Sequence, residues 1–196
     1  RFYGIQSGSI SIDGHNINAL SLKGLRSHIA VVLQDVFLFA DTIENNISLG
    51  NSEVSLSEIE AAAKEIGVHD FIESLPGGYQ FNVKERGGML SSGQRQLIAF
   101  LRAYVTKPSI LVLDEATSSI DSASEQLIQK ATDTITKGRT SIVIAHRLAT
   151  IQKASNILVM DAGVIVEQGT HEALLKKGGY YKNLYEAQFL SVAVVE

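Results

Sequence analysis

Two adjacent carboxylates, Asp114 and Glu115, close the apolar run Ile110-Leu111-Val112-Leu113. Such a run reads as a buried strand, which delivers both acids at its carboxyl end, where parallel sheets bind their ligands. Phosphoryl transfer has a use for that pair. One acid organises the water shell of a magnesium ion, and the next polarises the water that attacks a γ-phosphate. A solvated Asp-Glu at an ordinary strand end has the same local pattern, so the dipeptide by itself leaves both readings open.

The run Leu90-Ser91-Ser92-Gly93-Gln94-Arg95-Gln96 is a small-residue turn followed by Leu97, Ile98, Leu101 and Tyr104 at helical spacing. Ser91 with Gln94 three residues later is a capping-box pattern, which any well-capped helix could carry. It also has a functional reading, because the N–H groups and positive dipole end of such a helix can hold a phosphate. Gln34 follows the apolar run at residues 29–33, and His146 follows the one at 141–145. Each alone fits a satisfied structural polar group. Four polar residues at strand ends, namely Gln34, Asp114, Glu115 and His146, together describe a metal-phosphate site.

The elements that must position them can be read from the pattern. Residues 9–13 alternate and end in Asp13-Gly14, which predicts a half-buried antiparallel strand running into a tight turn. Leu20, Leu22 and Leu25 predict a short helical turn before the strand at 29–33. Ile59, Ala62, Ala63 and Ile66 predict a helix over 56–66 stopped by Gly67, and a second short helix is expected at 69–74. Residues 41–104 lack a strong strand run and read as a helical lobe. After Pro108 the rhythm alternates: strand 110–113, helix 125–135, strand 141–145, a helix from Leu148, strand 156–160. This implies crossovers and a parallel sheet. Residues 157–160 and 164–167 flank Asp161-Ala162-Gly163 as a hairpin, and a helix at 172–177 follows.

Composition narrows the classes. At 196 residues and 45% apolar, the chain can bury one sizeable core. It has no cysteine, which removes disulfides and thiolate metal sites and agrees with a cytosol-facing protein. A net charge of −4 without a block of Lys or Arg gives no footprint for nucleic acid. No apolar run approaches the roughly 20 residues that span a bilayer. The opening Arg1-Phe2-Tyr3-Gly4 has no Met and no signal pattern, so the segment reads as the interior of a longer polypeptide.

The order and spacing of these motifs resemble the nucleotide-binding domain of ABC transporters, in particular exporters with fused membrane domains. The resemblance runs from Arg1 to about Leu190. It implies an α/β fold of the P-loop NTPase (RecA-like) kind, with a parallel sheet core, a helical lobe and a partial antiparallel β-subdomain. The divisions would be 1–40 for the β-subdomain remnant and Gln34 strand, 41–104 for the helical lobe, 105–190 for the catalytic core, and 191–196 for a tail. The resemblance also implies roles. Gln34 corresponds to the Q-loop glutamine, residues 90–94 to the signature motif, and residues 110–114 to the Walker B strand. Glu115 corresponds to the catalytic glutamate, residues 118–121 with Ser119 and Asp121 to the D-loop, and His146 to the switch histidine. Residues 82–87 resemble the X-loop, which touches the membrane domains.

ATP and Mg²⁺ are the implied ligands, with Gln34 and Asp114 toward the metal. Ser91, Ser92, Gly93 and Gln94 would reach the nucleotide across a dimer. The implied partners are a second nucleotide-binding domain, as a homo- or heterodimer, and the transmembrane domains of the same transporter, at the cytoplasmic face of a membrane. Two departures stand out. Ser92 replaces the usual first glycine of the signature, which would be strained only if that position needs a positive φ. No Gly-x-x-x-x-Gly-Lys-Ser/Thr occurs in the chain, so the Walker A strand and loop are absent, as is the aromatic that family members stack on adenine. The missing strand is expected beside residues 110–113. Two competing classes remain. A chromosome-handling ATPase would need a coiled coil between Gln34 and Leu90, where no heptads occur. A non-catalytic regulatory module would be separated by an ATPase assay.

Overall fold

The computed structural model describes residues 1–115 and 122–187. The chain divides into two compact units, Arg1–Val143 and Ile144–Glu196.

The first unit opens with β1 (Ser11–Ile12) and β2 (His15–Asn16), an antiparallel pair. Asp13 and Gly14 join them with φ of 49° and 78°, the double positive φ of a type I′ turn. A short helix α1 (Leu22–Ser27), capped by the Ser21 hydroxyl, leads into β3 (Ile29–Val32). Then come α2 (Ile43–Ser48), α3 (Leu56–Ile66) and α4 (His69–Glu73). In α3, Ser55 and Glu58 form a full capping box, Ile59, Ala62, Ala63 and Ile66 are buried, and Gly67 closes the helix at φ 79°. The periodicity had placed this helix and its stop at those residues.

The long helix α5 (Ser92–Val105) packs against α2, α3, β3 and α6 (Ser122–Thr136). Its Leu97, Ile98, Phe100 and Leu101 are at most 1% exposed and form the centre of the core. β4 (Ile110–Asp114) runs parallel to β3 in the register Ile29↔Ile110 through Val32↔Leu113. β5 (Thr140–Ile144) completes the sheet in the order β3-β4-β5. Leu111 and Leu113 point into the core, whereas Val31, Leu33 and Ile142 are exposed.

The strand order corrects one expectation. β4 has a neighbour on each side, so no place is left beside residues 110–113 for another strand. Those residues are the middle of the sheet, and the strands at its edges are β3 and β5.

In the second unit, α7 (Leu148–Lys153) precedes β6 (Ile157–Asp161) and β7 (Val164–Gly169), then α8 (His171–Lys177) and α9 (Tyr180–Tyr185). β6 pairs antiparallel with β7, as the hairpin pattern required. The strand–helix alternation had counted β6 among the parallel strands, whereas its pairing partner among the described residues is the antiparallel β7. Val159, Leu174 and Tyr181 form this unit's own small core.

Candidate active site

The parallel register brings the acidic pair and Gln34 to one end of the sheet. Val32 lies opposite Leu113, and Gln34 and Glu115 each come two residues later on adjacent strands. Neighbouring strands run about 4.8 Å apart, so the two loops leave the sheet side by side. Gln34 sits in an exposed bend, Asp114 is half-buried as the last residue of β4, and Glu115 is only 2% exposed. A buried carboxylate beside a half-buried one is unlike a solvated strand end, where both acids would face water.

Those donors fit a hard cation. A carboxylate oxygen of Asp114 and the amide oxygen of Gln34 are the ligand types that magnesium takes, with phosphate and water oxygens filling its remaining positions. Among the described residues, no group of three or more His, Cys, Asp or Glu is arranged to hold a metal by itself.

The signature residues open α5. Ser91 is the N-cap, with φ −65° and ψ 165°. Its Oγ accepts the Gln94 N–H at 3.2 Å, and Gln94 Oε1 accepts the Ser91 N–H at 3.0 Å. Ser92 is the first helical residue and is exposed, and it is not among the residues with positive φ. Its Cβ therefore carries no backbone strain. Gly93 is buried one position further on. Ser92 and Gly93 supply the first two N–H groups of the helix, which have no acceptor one turn back.

His146 lies two residues beyond the end of β5, exposed, in the second unit. Ser119 and Asp121 fall outside the described residues. The segment 82–87 carries backbone stress: Lys84 and Arg86 have φ of 60° and 52°. It is tied to the stretch after Gln34 by the bridge Thr42↔Asn82 and by the Val83 N–H donating to the Asp41 carbonyl at 3.0 Å.

The sequence patterns did not single out Arg102 or Asn46. Asn46 is fully buried in α2, and Arg102 Nε donates to its carbonyl at 2.7 Å. The available signals were an arginine interrupting the apolar run of α5 and an asparagine between Ile43 and Ile47, either of which a solvated helix face would also explain.

Comparison with known proteins shows the family. The profile of the family described as ABC transporter matches residues 1–118. The chain is 53% identical over 189 residues to an ATP-dependent lipid A-core flippase of Saccharophagus degradans, covering 96% of this chain and 32% of that protein. It is 48% identical over 190 residues to a putative multidrug export ATP-binding/permease protein of Staphylococcus aureus, covering 97% and 33%. Among solved structures it resembles a bacterial Atm1-family ABC exporter with ATP bound, with a TM-score of 0.87, 43% identity, and coverage of 96% of this chain and 33% of that one. The chain thus spans about a third of the length of these relatives. With more than half its length matched by the profile, the chain belongs to the ABC transporter family.

Proposed function

We propose that this chain is the ATP-binding and ATP-hydrolysing part of an ABC exporter, working at the cytoplasmic face of a membrane and driving export by ATP-dependent pairing with a second such domain. The observation that carries this reading is Glu115, 2% exposed, immediately after the half-buried Asp114 and across the register from Gln34. The shielding of this carboxylate from bulk water supports a role in accepting a proton from a water held against a γ-phosphate.

In this reading Asp114 and Gln34 hold oxygen atoms toward Mg²⁺, which neutralises phosphate charge when bound. Glu115 orients and polarises the attacking water. His146 contacts the γ-phosphate and steadies that geometry. The N-terminus of α5, with Ser91, Ser92, Gly93 and Gln94, donates to the phosphates of the ATP held mainly by the partner domain. Ser119 and Asp121, of the D-loop that the resemblance implies, serve nucleotide binding. Segment 82–87 faces the membrane domains of the same transporter, and ATP-driven closure moves them. The names of the relatives include a lipid flippase and a putative multidrug exporter. The cargo is chosen by membrane segments, so lipid, drug and peptide are all compatible with these residues.

An ATPase assay on the full-length transporter in liposomes, paired with gel filtration of its nucleotide-binding domains with and without ATP, tests the reading. Hydrolysis that depends on Mg²⁺ and pairing that depends on ATP are expected. An absence of hydrolysis with intact ATP binding would leave a regulatory module instead.

A further inference from the structure

The segment between β3 and α2 is short and irregular, yet it is clamped from two sides by one side-chain network. Arg102, in the last turn of α5, donates from Nε to the Asn46 carbonyl at 2.7 Å and from Nη1 to the Phe37 carbonyl at 3.2 Å. Its Nη2 reaches Asn46 Oδ1 at 3.4 Å. Asn46 Oδ1 also accepts the Phe39 N–H at 2.8 Å, while its Nδ2 donates to the carbonyls of Phe39 and Thr42, both at 3.0 Å. Asn46 is fully buried and its amide is fully used in both directions. Among the described residues, every partner of Arg102 is a neutral oxygen, and burial pulls the guanidinium below its ordinary pKa. A half-buried cation without a counter-charge is an expensive way to make a generic tie. Its planar fork spreads donors over three nitrogens in fixed directions, whereas an ammonium has three rotatable donors on a single nitrogen.

The elements joined by this network are those that carry the two halves of the proposed site. α5 begins at the Ser91 cap, about three turns before Arg102 along one rigid rod. Gln34 lies between the end of β3, held by the Val32↔Leu113 register, and the Phe37 carbonyl, held by Arg102. Only four residues separate these two fixed points, with Gln34 in the bend between them, so a displacement of Phe37 reaches Gln34 through a short piece of backbone.

Building on the nucleotide-site reading above, we propose that Arg102 is a positioning residue that acts through Gln34: it couples the Gln34 loop to the signature helix, so that the phosphate-facing end of α5 and the metal-facing amide of Gln34 move as one piece. Its role differs from that of Arg95 on the same helix, which donates to the neighbouring Leu90 carbonyl at 2.7 Å and so braces only the helix start.

The test is a double-mutant cycle in the full-length transporter with Arg102→Lys, Gln34→Ala and both together, read beside amide hydrogen exchange of the nucleotide-free protein. Arg102→Lys keeps the charge but gathers its donors on one nitrogen, which cannot span the Asn46 and Phe37 carbonyls as the three guanidinium nitrogens do. It should lower kcat on the order of threefold to thirtyfold, with KM for ATP changed by less than about twofold. In the Gln34→Ala background it should lower kcat further by less than about twofold, because a residue that acts through Gln34 has nothing left to position. Exchange should rise in residues 37–42 and stay unchanged in α3. Multiplying kcat effects, or unchanged exchange in 37–42, would overturn the coupling while leaving the nucleotide site intact. A Gln34→Ala transporter with wild-type kcat would overturn the coupling together with the role of Gln34. Should Arg102→Lys fail to fold, Arg102→Gln, shorter and neutral, carries the same cycle; failure of both to fold would mean that Arg102 is a structural tie only.

Discussion

Ser91 and Gln94 cap each other, with the Ser91 hydroxyl accepting the Gln94 N–H at 3.2 Å and the Gln94 amide oxygen accepting the Ser91 N–H at 3.0 Å. The two side chains satisfy each other's backbone, which leaves the N–H groups of Ser92 and Gly93 as the donors at the mouth of α5. The end of the helix is therefore preformed, with both cap bonds already made.

Ser92 occupies a helical position without strain, so glycine offers no relief there. Ser92→Gly should leave stability unchanged or lower it by up to about 1 kcal/mol, the usual entropic cost of a glycine in a helix. Differential scanning calorimetry of the two proteins decides this. Stabilisation by more than about 1 kcal/mol would mean that the serine is strained after all.

The signature should act on the partner's nucleotide. In a pair carrying one altered chain, Ser91→Arg places a long cationic side chain where the helix end must approach phosphate, and it also removes the cap, worth about 1 kcal/mol. Nucleotide trapping measured on each chain should show loss at the site whose phosphate loop belongs to the unaltered chain. Equal loss at both sites would refute the cross-dimer assignment.

Glu115→Gln keeps the shape and most of the hydrogen bonding of a side chain that is 2% exposed, while removing its basicity. Turnover in the full-length transporter should fall by about 10² to 10⁴, with ATP binding retained. Steady-state ATPase measurement beside equilibrium nucleotide binding separates the two, and wild-type turnover would sink the assignment.

His146 is exposed, so its removal takes nothing from either core. His146→Ala should slow hydrolysis on the order of 10²-fold through lost alignment, with unchanged circular dichroism. An unfolded variant would show that the histidine is structural.

Glu167 makes the second unit sensitive to acid. The Tyr181 N–H donates to its carboxylate at 2.8 Å and Lys177 Nζ lies 3.2 Å away. These contacts, the Tyr181 N–H foremost, hold its pKa below the ordinary carboxylate value against the opposing effect of burial. A lowered folded-state pKa means that the stabilisation is present above the unfolded value, about 4.3, and is lost as pH falls through the folded one. Protection of the α9 amides against exchange should therefore weaken below about pH 4. In Glu167→Gln that protection should be weaker at pH 7 and nearly flat with pH. Gly179→Ala should mimic the neutral-pH loss, because an added Cβ would collide with the Glu167 carboxylate.

Local order was legible in the sequence because it depends on near neighbours. The α3 capping box and its Gly67 stop, the Asp13-Gly14 turn, the hairpin around Ala162 and the acidic end of β4 all follow from residue type and spacing within about ten positions. So did the list of polar residues at strand ends, since a strand's carboxyl end is set by where its apolar run stops. Pairing between strands was decided only in three dimensions. That β4 has β3 on one side and β5 on the other depends on which strands share a hydrogen-bonding edge, and a run of apolar residues carries no record of its neighbour. The burial of Glu115 and the Arg102–Asn46 network belong to the same class. An arginine and an asparagine read as surface residues until residues 56 positions apart meet and supply the partners that make burying them tolerable, and the exposure of a carboxylate at a strand end depends on what packs over it.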